Sequence, residues 1–203
     1  MTVLAMLVYP GGRVGDPHSH GYDFFSNFFS DLGQTQTHGG HDNQLSLVLF
    51  CIAITGIAFA ISLFFATFSS LFAAGSRARL AANIGTGCAV VAAVSFLGVA
   101  ATPWNLYLQA HNDFVQWAFR SFFLAVVAVS AACLLTPGFP RRFVTVFAAF
   151  ALLLAAYIVL ITLGPPAGTP QGALIQATAQ KIIVYASILT VMIQALNARA
   201  YLR

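Results

Sequence analysis

Three short stretches hold most of the residues able to do chemistry. The first, "GYDFFSNFFSDLG" at residues 21–33, sets Asp23, Ser26, Asn27, Ser30 and Asp31 among Phe24, Phe25, Phe28 and Phe29. The second, "AHNDFVQWAFR" at 110–120, opens with His111 and sets Asp113, Gln116 and Arg120 on one helix face. The third, "TAQKIIVY" at 178–185, puts Thr178, Lys181 and Tyr185 on one helix face. Carboxylates, an imidazole and hydroxyls at one level can move protons or attack an ester, and the cations can hold an anionic group. The same charges can equally serve as ion pairs that tie a loop to its neighbouring helices.

A fourth stretch is rich in metal-ligand types. "DPHSHGYD" and "THGGHDN" place His18, His20, His38 and His41 near Asp16, Asp23 and Asp42. Imidazole and carboxylate suit zinc, although polar glycine-rich loops also collect histidines that bind nothing. A catalytic zinc would draw on His20, Asp23, Asp31 and His111, with one position left for water. No nucleophile elbow, phosphate-binding glycine loop or metalloprotease helix motif occurs. Cys51, Cys88 and Cys133 lie in apolar runs with no C-x-x-C spacing and read as small packing residues.

The elements that must position these groups are membrane helices. The 203 residues are 59% hydrophobic and 7% charged, with mean hydropathy +0.84, whereas soluble domains carry about 25% charged residues. The net charge of +4 is therefore no sign of nucleic-acid binding. Five runs, about 45–73, 80–102, 112–136, 143–163 and 178–200, reach the ~20 residues needed to cross the hydrocarbon core. The fold class is all-α: a polytopic bundle forming one domain over 1–203. Residues 1–9 are a short apolar start, read as the end of a sixth span, and 10–44 form a loop with an interfacial helix over 22–31. Gly33 would end that helix.

Orientation follows from arginine. Arg77, Arg79, Arg141, Arg142, Arg199 and Arg203 share one side if every span crosses, and the positive-inside rule makes it cytoplasmic. The C-terminus is then inside an inner membrane and the histidine-rich loop outside. Arg120 would lie roughly 13 Å into its span at 1.5 Å per residue, deep enough to demand an acceptor.

"YPGG", "FFSNFFSDLG" and "TPWNLYLQAHNDFVQWAF" in this order resemble a bacterial multi-span membrane family catalogued as domain of unknown function 998, itself distantly similar to DRAM/Sfk-like six-span proteins. The resemblance covers about half the chain. It implies a six-helix bundle with its polar motifs outward and matches Ser30, Asp31, Gly33 and His111. It supplies no activity. A looser likeness to seven-span ceramidase-type hydrolases lacks the closing histidine pair in "QKIIVYASILTVMIQALNA".

Three functions fit. The first is a site for membrane lipids, or a scaffold for a membrane-protein partner or second copy, using Asp23, Asn27, Asp113, Gln116, Arg120, Lys181 and Tyr185. The second is an outward-facing lipid hydrolase, with or without zinc, using Ser30, Asp31 and His111. The third is a small transporter, although no repeated halves are visible.

Overall fold

The computed structural model describes residues 1–203. The chain is an integral, multi-pass membrane protein built as an all-α bundle. Its elements are α1 (Thr2–Leu7), a hairpin of β1 (Gly11–Arg13) and β2 (Asp16–His20), a 3₁₀ turn (Phe29–Gly33), and five long helices. These are α2 (Gln44–Ser69), α3 (Arg77–Ala101), α4 (Trp104–Leu134), α5 (Arg141–Leu163) and α6 (Pro170–Tyr201), each long and apolar enough to cross a membrane. Antiparallel neighbours follow one another in sequence, so one end of the bundle gathers the arginines of the short connections. The other, the loop end, gathers the hairpin and the 3₁₀ turn.

Two packing chemistries hold the helices together. Toward the arginine end, phenylalanines interlock. Phe68 meets Phe143 and Phe147 edge-on at 5.7 and 5.4 Å, and Phe122 meets Phe65 and Phe150 at 6.1 and 5.4 Å. Such ring contacts add directional attraction where lipid leaves no hydrophobic drive between helices. Between α3 and α4 the residues are small instead: Ala82, Gly85, Ala89 and Ala92 face Ala118, Ala125, Val129 and Ala132, all buried or lacking a side chain. A Cβ at Gly85 would come within 2.9 Å of Val129 and 3.0 Å of the Ala125 carbonyl, so close approach of the backbones requires glycine there.

A smaller cluster of Ala5, Tyr9, Phe29, Leu32, Phe50 and Val99 seats α1 and the 3₁₀ turn on the ends of α2 and α3. A Cβ on Gly33 would lie 2.6 Å from the Phe50 ring. Gly33 is thus a contact point as well as the last residue of the 3₁₀ turn.

The boundaries differ from the sequence reading in three places. The helix expected over 22–31 is absent: a turn at Phe24–Ser26 leads instead into the 3₁₀ turn. Side chains take the backbone donors that a helix would use. Asp23 Oδ1 accepts from the amides of Phe25 (3.0 Å) and Ser26 (3.1 Å), Asn27 Oδ1 from the amide of Asp23 (3.0 Å), and Asp31 Oδ2 from that of Phe28 (2.9 Å). Short polar side chains compete with helix in this way. Helix α4 begins at Trp104, immediately after the Pro103 turn, with a kink at Tyr107 (φ −133°, ψ 51°). Helix α6 begins at Pro170, started by proline at its first position and by Thr169 Oγ1 accepting from the Gly172 amide at 3.1 Å.

Candidate functional site

Asp31 organises the loop end. It is 1% exposed, in a segment whose neighbours Asn27, Leu32, Gly33 and Gln34 are also buried. Its Oδ2 accepts from Asn27 Nδ2 at 2.8 Å and from the Phe28 amide, which closes the 3₁₀ turn from within. Its Oδ1 accepts from the Trp104 indole at 3.1 Å. The Gln34 amide fits with its oxygen toward the same indole (2.7 Å) and its nitrogen on the Gln36 carbonyl (2.9 Å), since the reverse leaves its oxygen facing only acceptors. His38 completes the surround: its Nε2 is buried without a partner, 3.7 Å from Asp31 Oδ1, and its ring packs over Trp104 at 5.1 Å.

Asn27 and the hairpin carry this network outward. Asn27 Nδ2 also donates to the Gly12 carbonyl at 3.0 Å, and the Tyr9 hydroxyl donates to that carbonyl at 3.1 Å. "YPGG" is therefore an anchor: Gly12 takes φ +92°, and a Cβ on it would strike the Gly39 amide at 2.5 Å. Burial, and then the charge of Asp31, push the phenols of Tyr9 and Tyr22 up, so both stay neutral donors. Arg13 pairs with Asp23 and, at 3.5 Å, with Asp16. Burial raises the Asp23 carboxyl, but the Phe25 and Ser26 amides, Arg13 and the Ser26 hydroxyl outweigh it and hold it below the usual value.

Helix α6 latches onto this loop. Lys181, 2% exposed, donates to the Asn27 carbonyl, and its Nζ lies 5.1, 5.7 and 5.3 Å from the ring centres of Tyr22, Phe24 and Phe29. The ammonium is thus held by ring faces and a carbonyl. Gln180 Oε1 accepts from the Phe29 amide at 2.7 Å, and Thr178 donates to the Phe25 carbonyl at 3.2 Å. The paired phenylalanines divide their labour. Phe29 is buried, while Phe24 and Phe25 are 38% and 56% exposed, with Phe24 stacked on Tyr185.

Beneath the latch lies a cavity of about 540 Å³ between the 3₁₀ turn, the first half of α4, the end of α5 and the start of α6. Ser30, His111, Gln116, Tyr157, Gln176 and Gln180 supply its polar wall, and Trp104, Phe28, Val115 and Ile161 its apolar one. His111 is 4% exposed with Nδ1 2.7 Å from the Thr102 carbonyl. A carbonyl only accepts, so that nitrogen carries the hydrogen and Nε2 of the neutral ring is left as an acceptor. A second, narrow space of about 80 Å³, lined mostly by Phe50, Ile54, Ile57, Phe119, Ile183 and Val184, runs where α2 and α6 fail to pack closely. The two spaces share Ser30, Val115 and Gln180.

The residues singled out from sequence therefore fall into separate places. Ser30, His111 and Gln116 line the cavity; Asp31, Asn27, Asp23 and Lys181 build the scaffold above it. Asp113 is exposed, accepting from Gln109 at 3.0 Å, and Tyr185 stacks on Phe24 outside the cavity. Arg120 lies exposed on α4 with no ion pair, so the expected link between it and the loop carboxylates is not made. Lys181 likewise meets a carbonyl, and no carboxylate lies within salt-bridge distance. The zinc set His20, Asp23, Asp31 and His111 does not converge, and nowhere do three His, Cys, Asp or Glu side chains group to hold a metal. His20 is exposed in β2, Asp23 is taken by Arg13, and Asp31 is enclosed by its own donors. Sequence reasoning missed Trp104, Tyr157, Gln176 and Gln180. Only the glutamines' position one turn apart on α6 signalled them.

Comparison of the chain with protein families, with curated proteins and with solved structures gave no match.

Proposed function

We propose that this protein binds a membrane lipid at its loop end, the headgroup in the polar cavity and a chain in the apolar space between α2 and α6. The observation that carries this reading is the shared wall. Ser30, Val115 and Gln180 border both a cavity of about 540 Å³ with polar lining and a mostly apolar one. The larger volume falls in the range of small-ligand sites, and a lipid is the ligand that needs both chemistries side by side. The positive-inside rule puts the loop end outside an inner membrane and the C-terminus in the cytoplasm. The kinship with the six-span family of unknown function belongs to the same proposal: its quoted motifs are the segments that anchor Gly12, Asp31 and His111.

Purification in a mild detergent, followed by native mass spectrometry, tests the reading. A stoichiometric lipid should accompany the protein and be lost when Val115→Trp fills the shared wall. Protein that carries no lipid after gentle extraction, and takes up none when lipid is returned, would overturn it.

A second reading, a lipid hydrolase, is favoured by one observation: Ser30 and His111 line the same cavity, and the imidazole presents Nε2 as its acceptor. No hydrogen bond joins them, and Asp31 serves the loop rather than the imidazole. If turnover of a bound ester is found, Ser30→Ala should abolish it while leaving lipid uptake intact.

A further inference from the structure

The cavity wall bears no formal charge: none of its lining residues is Asp, Glu, Lys or Arg. The charges nearby are engaged elsewhere, Asp31 with Asn27, Phe28 and Trp104, Lys181 with the Asn27 carbonyl inside its ring cage, and Asp23 with Arg13. What lines the space is a set of carboxamides, from Asn112, Gln116, Gln176 and Gln180, with the hydroxyls of Ser30 and Tyr157. Gln176 Nε2 also donates to the Pro165 carbonyl at 2.6 Å and Gln180 Oε1 accepts from the Phe29 amide, which leaves the oxygen of the first and the nitrogen of the second.

That chemistry selects among headgroups. A phosphate offers only acceptors and a charge, and without Lys, Arg or a metal its desolvation goes uncompensated. A choline headgroup carries that phosphate too, so the ring faces of Trp104 and Phe28 do not by themselves admit it, and the ring cage nearby is filled by Lys181. A hydroxyl is donor and acceptor at once, which a carboxamide matches with both of its ends. One acceptor is also waiting. Gln116 Oε1 is buried with no partner, while its Nε2 reaches the Ile161 carbonyl only at 3.4 Å. Buried polar atoms are normally satisfied, so turning this oxygen from the wall into the cavity would be rewarded by a ligand donor. Trp104 and Phe28 supply apolar faces for the C–H side of a ring or polyol.

We infer that the cavity takes an uncharged, hydroxyl-rich group, a sugar or polyol. Resting on the lipid reading above, its bearer is a neutral glycolipid. Gln116 accepts from one of its hydroxyls, and Gln180 helps hold the boundary between headgroup and chain.

The test uses the full chain in phosphatidylcholine nanodiscs doped with equal amounts of monoglucosyl diacylglycerol or phosphatidic acid of the same chains. Retained lipid is counted by native mass spectrometry. Glycolipid should exceed phosphatidic acid by about tenfold or more, and Gln116→Met should cut its retention by about tenfold, the scale of one lost hydrogen bond. Thr162→Val serves as a second variant, because Thr162 lines the cavity and otherwise bonds only its own helix at Ile158. It should weaken retention with an unchanged melting temperature. Equal or greater retention of phosphatidic acid would overturn the headgroup class and leave the lipid site standing. Retention of neither lipid, with melting raised by free methyl glucoside, would keep the hydroxylated class and remove the lipid. No retention and no response to the glucoside would sink both.

Discussion

Asp31 and Asp23 are both loop carboxylates with backbone donors, yet they do different work. Asp31 is enclosed, and its acceptors serve Asn27, the Phe28 amide and Trp104 at once. Asp31→Ala would leave those buried donors unpaired, at a cost of about 3 kcal/mol. The drop should appear in chemical unfolding in detergent, with Asp31→Asn milder because it keeps the shape and one acceptor. Asp23 is partly exposed and its carboxyl is held below the ordinary value, so the folded loop favours its charged form. Its contribution is complete at neutral pH and is lost as pH falls below ~3.9 through the depressed native value. Proteolysis at the hairpin should therefore increase on acidification in wild type. Asp23→Asn should show that susceptibility already at neutral pH and lose its pH dependence; an unchanged profile would mean that Arg13 gains nothing from this partner.

At the scale of elements, the bundle relies on shape rather than on polar pairing. Gly85 sits where a Cβ would meet Val129 and the Ala125 carbonyl, so α3 and α4 approach through a line of small residues. Gly85→Val should destabilise by about 1–3 kcal/mol, the cost of overpacking a close helix contact. Gly87→Val, where nothing lies near the added atoms, should be close to neutral by the same melting assay. The loop end is held differently. Asn43 and Ser46 donate to the Leu32 carbonyl, Lys181 donates to that of Asn27, and Gln180 accepts from the Phe29 amide. These tie α2 and α6 to one loop, and the Trp104 indole on Asp31 adds α4, giving the cavity a fixed roof.

For the whole molecule, depth and sidedness matter. Gly98 meets Phe114 and Gly85 meets Val129, a register that sets Arg120 beside about Ala92, some 13 Å below the loop end of α3 at 1.5 Å per residue. It is exposed and makes no hydrogen bond or ion pair. Arg120→Leu should therefore leave the melting temperature equal or higher, since an unpaired charge leaves the apolar layer; a marked fall would reveal a partner at that depth. Sidedness can be read with an impermeant thiol reagent on intact cells in a background lacking Cys51, Cys88 and Cys133. His41→Cys at the loop end should label and Ala74→Cys at the arginine end should not.

Much of this was legible in the residues alone. Apolar runs fix the number of spans, because in lipid every backbone group must be satisfied inside a helix, and Phe, Ala and Gly within them announce ring packing and close approach. That "FFSNFFSDLG" and His111 lie at the same end of the bundle was legible too. The helix over 22–31 was misread because propensity cannot show that Asp23, Asn27 and Asp31 turn back on their own backbone. Nor could spacing along one helix show that Arg120 faces away while Gln116 faces in. Sequence by itself determined the spans, their order and which segments are polar. The tertiary structure decided which polar groups meet: it set Asp23, Asp31 and Lys181 to hold the loop and left amides and hydroxyls to line the space. Partners distant in sequence are chosen by packing, and only the folded chain brings Lys181 to Asn27 or Trp104 to Asp31.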